Sequence, residues 1–346
     1  IREALPVLQG RLKTLLLALV DRIEAHASQP TLGFTHLQPA EPTTTGYRFA
    51  VYAQDLWHTY RQLEGAAQEL KGKGFAGAVG TSASFAHLLG EENLDEFQSR
   101  LAEKLGIPFF TVVNQTYPRQ QEYTLISILA AVAAAINKFA FDLRFLQTPP
   151  LGEWSEPFGD DQVGSSAMPF KKNPIQAEKL NAISRLVAQY PRVAWDNAAL
   201  SMLERTLDDS ANRRSILPES FLMVDELLMV CGRLVENMEI FPERMSRNLD
   251  AYAPFAATEP LLMALTKGGA DRQDMHERLR QHAMEAWAVV QKGDPNPLYE
   301  LLSADKEIKS HLTEAELREV LDVSGYVGDA PIRAQRMADE IRAGLG

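Results

Sequence analysis

Residues 119–147 read RQQEYTLISILAAVAAAINKFAFDLRFLQ, and their apolar positions decide the fold. Leu125, Ile128, Leu129, Val132, Ile136, Phe139, Leu143 and Leu146 recur at the three- and four-residue steps of one helix face. Neither glycine nor proline interrupts the stretch, and its alanine-rich centre suits close packing against other helices. The same periodicity continues on both sides. Residues 1–25 place Leu5, Leu8, Leu12, Leu15, Leu16, Leu19 and Ile23 on one side, and Gly46–Lys71 repeats the pattern with Phe49, Tyr52, Ala53, Leu56 and Leu63. Gln176–Leu203 continues it, with Pro191 as an expected kink, and Pro218–Met238 would begin with proline in its first turn. No alternating strand pattern competes over a comparable length. The expected fold is all-α, a bundle of long helices.

After Glu239 the segments shorten to Pro242–Leu249, Thr258–Thr266, Asp271–Gln291 and Thr313–Leu321. The last opens with Thr313 and Glu316 in capping-box spacing. We therefore expect two domains, a helical bundle over 1–240 and a smaller helical domain over 241–346. Because residue 1 falls inside a helical pattern with no capping residue, a further N-terminal segment is expected in the natural protein.

The 346 residues carry a formal net charge of −11, which disfavours sequence-independent nucleic-acid binding. A local cluster of cations could still hold a small anionic substrate. The single cysteine, Cys231, lies in an apolar helical stretch and is expected to be buried and inert, in keeping with a cytoplasmic location. The most apolar run, Ile128–Ile136, is shorter than the roughly 20 residues that span a bilayer, so no membrane role is expected.

Two stretches resist a helical reading, Gly72–Ser84 with four glycines and Thr148–Pro174. Gly72, Gly74 and Gly77 fit G-x-G-x-x-G, but a helix rather than a strand precedes them, so a dinucleotide site is rejected. Three further segments carry chemistry. Gly33–Ala40 (GFTHLQPA) joins two helical patterns and holds His36, flanked by Thr35 and Gln38. Gly164–Pro174 (GSSAMPFKKNP) gathers Ser165, Ser166, Lys171, Lys172 and Asn173. Glu204–Arg214 (ERTLDDSANRR) carries Arg205, Ser210, Arg213 and Arg214, and arginine forks bind phosphate and carboxylate in bidentate fashion. Taken singly, each has a plainer reading, as a loop histidine, a solvated polar loop, and an exposed helix face with Asp–Arg pairs. No H-E-x-x-H, C-x-x-C or carboxylate–histidine cluster points to a metal.

Together these segments resemble the fumarase/aspartase superfamily. Its serine loop has the form G-S-S-x-M-P-x-K-x-N-P, and a second family segment contains T-H-x-Q-P-A, present here over Thr35–Ala40. Within the superfamily, E-R-T-L-D-D-S-A-N-R-R, Gln115-Thr-Tyr and the segment Gly268–Glu277 resemble the adenylosuccinate lyases. The resemblance implies cleavage of a C–N bond by β-elimination, with release of fumarate from a succinylated purine nucleotide or its precursor. It also implies that Ser165 is the base and His36 the general acid, with Glu178 orienting the acid. Ser166, Lys171 and Asn173 would hold the succinyl carboxylates, Thr35 and Gln115 would contact substrate, and Arg205, Ser210 and Arg214 would hold the phosphate. No cofactor is implied. A homotetramer with shared active sites is, together with substrate-binding groups upstream of residue 1. Two positions depart from the pattern: Phe170 replaces a histidine or tyrosine, and Lys179 replaces an arginine. Argininosuccinate lyase and a non-catalytic structural protein on the same fold are the competing readings.

Overall fold

A computed structural model describes residues 1–158, 168 and 170–346. Among them the elements run α1 (Ala4–Ala25), β1 (Pro30–Thr35), β2 (Gln38–Thr44), α2 (Thr45–Gln68), α3 (Ala83–Leu89), α4 (Leu94–Leu105) and α5 (Gln120–Leu146). There follow β3 (Trp154–Ser155), α6 (Ile175–Val187), α7 (Tyr190–Ala199), α8 (Asp208–Asn237) and β4 (Glu239–Ile240). The chain ends with α9 (Pro242–Ala256), α10 (Thr258–Lys267), α11 (Arg272–Val290), α12 (Leu298–Ala304), α13 (Lys306–His311), α14 (Glu314–Leu321) and α15 (Ala330–Leu345). Helices dominate, as the periodicity requires.

The chain divides into two compact units. One comprises Ile1–Ala18, Tyr52–Arg144 and Asp160–Asn237. The other comprises Leu19–Val51, Phe145–Gly159 and Met238–Gly346. In the first, Leu12, Leu15, Leu56, Leu63, Leu129, Val132, Ile136, Leu180, Val224 and Leu227 are buried, the faces that the sequence marks as apolar. Cys231 is also buried there, and desolvation pushes its thiol well above the usual range, so it is inert. In the second, Leu261, Leu265, Met275, Leu279, Leu298, Leu302, Ile308 and Leu317 form a core shared by α10 to α14. Thr313 and Glu316 make the reciprocal capping box at the start of α14.

Four expectations change. The segment between α1 and α2 is a β-hairpin, not a plain loop: β1 and β2 pair antiparallel from Pro30↔Thr44 to Thr35↔Gln38. Pro39 and Pro42 hide it from a strand reading, but a two-stranded ribbon tolerates proline where the N–H would face outward. One extra residue on β2 opposes Gly33, where a Cβ would lie 2.6 Å from the Glu41 carbonyl oxygen, so glycine is required. Pro191 lies in the first turn of α7 and separates it from α6, rather than kinking one helix. Pro218 lies inside α8, which starts ten residues earlier at Asp208. Finally, α5 as a whole, unlike Ile128–Ile136 alone, is long and apolar enough to cross a bilayer, by length and composition. Half of its apolar stretch is buried inside the protein, as in a core helix.

Candidate functional site

In the second unit the hairpin presents Thr35, His36 and Gln38 at its tip, all exposed. His36 and Leu37 form the two-residue turn with φ of 52° and 60°. Both lie in the left-handed region, which a tight hairpin needs and which costs a non-glycine residue about 1–2 kcal/mol. The base of the hairpin is fixed by Glu153, fully buried between three donors. Thr31 Oγ1 donates to it at 3.0 Å, Asn248 Nδ2 at 2.8 Å and Arg48 Nη1 at 3.4 Å. Arg48 also donates to the Leu32 carbonyl at 2.8 Å, and its guanidinium lies over Trp154, which stacks on Phe49. Thr35 and Gln38 line a groove of about 830 Å³ whose other wall is Tyr252, Phe255, Met284 and Trp287.

In the first unit, Lys171 and Asn173 stand just before α6, Lys171 exposed and Asn173 half-buried. The Lys171 N–H donates to the Met168 carbonyl at 3.0 Å, which turns the chain toward the helix. Glu178 is in the first turn of α6 and pairs with Arg144 at 3.8 Å. Lys179 pairs with Glu226. Phe170 is 83 % exposed. Ser165 and Ser166 lie outside the described residues.

Gln115 and the Glu204–Arg214 segment, distant in sequence, meet in this unit. The Gln115 N–H donates to the Glu204 carbonyl at 3.2 Å, and Asn114 Nδ2 reaches the Leu203 carbonyl at 3.4 Å. Gln115 therefore stands beside the backbone that carries Arg205. Ser210 and Arg214 follow on the first turns of α8, Ser210 half-buried and Arg214 exposed.

Beneath these groups is a charge cluster that sequence reading missed. Asp209 is 2 % exposed. It accepts from Arg119 Nε at 2.6 Å and from Arg205 Nη1 at 2.9 Å, with Arg213 Nε at 3.9 Å. Glu122, also buried, pairs with Arg213 through both oxygens and with Arg119 at 3.6 Å, and accepts from the Tyr117 hydroxyl. Burial works against ionisation of Asp209, but the hydrogen bonds from Arg205 and Arg119 outweigh it and hold its carboxyl below the usual range. Burial, with the Glu122 carboxylate, pushes the Tyr117 hydroxyl up to about 12. The Arg–Asp spacing in the motif was the available signal, since an exposed i,i+4 pair and a buried one look identical in sequence.

Comparison with known proteins places the chain in a family. The family model described as "Lyase" matches residues 1–188, and that described as "Adenylosuccinate lyase C-terminus" matches residues 254–337. The chain is 34 % identical over 344 residues to the adenylosuccinate lyase of Schizosaccharomyces pombe, covering 98 % of this chain and 70 % of that one. It is 37 % identical over 331 residues to that of Pyrococcus horikoshii, covering 95 % and 71 %. Among solved structures it is similar to the 3-carboxy-cis,cis-muconate lactonizing enzyme of Pseudomonas putida, with TM-score 0.87, 26 % identity, and coverage of 100 % of this chain and 74 % of that one. It is also similar to a fumarate lyase of Mesorhizobium sp. BNC1, with TM-score 0.83, 27 % identity and coverage of 99 % and 74 %. The helical frame is thus that of the lyases, and the chain belongs to the adenylosuccinate lyase family.

Proposed function

We propose that this chain cleaves adenylosuccinate to AMP and fumarate, and SAICAR to AICAR and fumarate, in purine nucleotide biosynthesis. The observation that carries the reading is the convergence of Gln115 with the Arg205 segment through the 3.2 Å bond to Glu204. An amide and a guanidinium on adjoining segments support the reading, since an arginine fork can grip a dianionic phosphate.

In the proposed reaction Ser165, as its alkoxide, removes the proton from the carbon β to the departing nitrogen. The electron pair passes into the adjacent carboxylate as an aci-carboxylate, then forms the new C=C bond as the C–N bond breaks. His36 gives its proton to the leaving nitrogen, with Glu178 assigned to orient it. Ser166, Lys171 and Asn173 hold the succinyl carboxylates, and preorganised cations there lower the cost of the second negative charge. Thr35 and Gln115 contact substrate, and Arg205, Ser210 and Arg214 hold the phosphate. These steps call on protein groups alone, so no cofactor is assigned.

We assign a cytoplasmic homotetramer. Its support is the face of α5 that leaves Ala131, Ala134 and Phe141 exposed beside Lys138, and the single, buried cysteine. Light scattering of the purified protein should give four times the chain mass.

The deciding experiment measures fumarate release from adenylosuccinate, SAICAR and argininosuccinate. Turnover of the first two and not the third is expected. Release from argininosuccinate alone, or from none, would overturn the reading. Ser165→Ala should abolish turnover while adenylosuccinate still binds, whereas Ser166→Ala should mainly weaken binding.

A further inference from the structure

We infer that Asp209, itself held by Arg119, is a positioning residue that fixes the Arg205 guanidinium for the substrate phosphate. The inference rests on the proposed role of Arg205 and deepens it.

Asp209 lies in the first turn of α8 and is nearly inaccessible, so it is not placed to touch substrate itself. It uses its two oxygens on two arginines, Oδ2 on Arg119 and Oδ1 on Arg205. Arg119 is buried too, just ahead of α5, with its guanidinium 4.8 Å from the Tyr117 ring centroid. It therefore has a fixed place from which to hold the carboxylate. Arg205 differs from Arg119 in being partly open, its side chain 23 % exposed. Among the described residues it bonds through Nη1 alone, which leaves Nε and Nη2 to meet an anion.

The charge balance suits that task. Arg119, Arg205 and Arg213 face Asp209 and Glu122, so the cluster keeps one excess positive charge, and Arg205 is its more open cation beside Gln115. An arginine on a loop without such an anchor loses side-chain entropy when it grips a phosphate. One already tethered through Nη1 loses less, because part of that ordering is complete before the ligand arrives.

The test compares adenylosuccinate with the same succinylated purine as its nucleoside, which lacks the phosphate. Asp209→Asn keeps shape and removes the charge. It should raise KM for the nucleotide about tenfold, the size of a weakened charged contact, and leave kcat/KM for the nucleoside within about twofold. In an Arg205→Ala background the same change should add almost nothing to the nucleotide KM, since a group acting through Arg205 has nothing left to act on. Asp209→Glu, which retains the charge, should recover part of the affinity. If Asp209→Asn does not yield folded protein, Arg119→Lys gives the same comparison with a weaker tether. Equal losses on nucleotide and nucleoside, or full additivity with Arg205→Ala, would show a merely structural residue and overturn the inference. A normal nucleotide KM in Asp209→Asn beside a raised one in Arg205→Ala would sink the inference and spare the phosphate role. A normal KM in Arg205→Ala would sink both.

Discussion

The hairpin tip that carries His36 and the segment that leads from Arg205 into α8 are held by opposite means. At the tip the backbone does the positioning: two residues sit in the left-handed region, and Thr35, His36, Leu37 and Gln38 are all exposed. At the start of α8 the side chains do it, through buried carboxylates shared among three arginines. A turn conformation constrains where a residue points without enclosing it, which suits the proton exchange proposed for His36. A buried ion network constrains a charge against a fixed counter-charge, which suits the anion grip proposed for Arg205. The two should therefore fail differently when disturbed.

The largest effect is expected in the network. Arg119→Ala leaves Asp209 and Glu122 buried with fewer partners, and should destabilise the protein by about 3 kcal/mol in chemical denaturation. A loss below about 1 kcal/mol would mean that water or a rearranged Arg213 replaces the pair, and the contrast with the hairpin would weaken. Next comes the base of the hairpin. Glu153→Gln turns one acceptor into a donor facing Thr31 and Arg48 or Asn248, and should cost about 2 kcal/mol. Hydrogen exchange should then quicken at the β1 and β2 amides while those of α8 keep their protection. Equal quickening in both would erase the distinction.

The tip should respond in the other direction. Leu37→Gly removes a side chain from a residue at φ 60° that is 68 % exposed, so relief of strain outweighs the extra freedom of the unfolded chain. A stabilisation of about 0.5 kcal/mol is expected from thermal melting, against the losses above. A clear loss would show that the Leu37 side chain has a contact of its own. The last effect is one that acid reveals. The Asp209 carboxyl titrates lower folded than unfolded, so its stabilisation is complete above the unfolded carboxylate value, about 3.9, and disappears as pH falls through the folded one. Asp209→Asn should flatten that acid limb of the stability profile.

Much of this was legible beforehand because it depends on neighbours along the chain. The α5 face, the short helices after Glu239 and the Thr313 box follow from spacings of three and four residues, and helices satisfy their backbone bonds locally. The serine loop, T-H-x-Q-P-A and the Arg205 segment could likewise be read as a family signature, since side-chain chemistry is written in order. The hairpin was not legible, because Pro39 and Pro42 argue against strands and only the pairing with β1 reveals how they are tolerated. Nor was the start of α8. Pro218 marks a helix start by local rules, yet α8 begins ten residues further back.

The sequence by itself determined the class of fold, the apolar faces and the inventory of reactive groups. Tertiary structure decided which of those groups are buried and which meet. Arg119 and Asp209 are 90 residues apart along the chain, and nothing in either segment names the other. Whether Asp209 is a solvated surface charge or the buried partner of two arginines depends on removing water from it. Arg119, just ahead of α5, and Arg205 meet it there, and a charge taken out of water is stable only where the fold supplies its counter-charges.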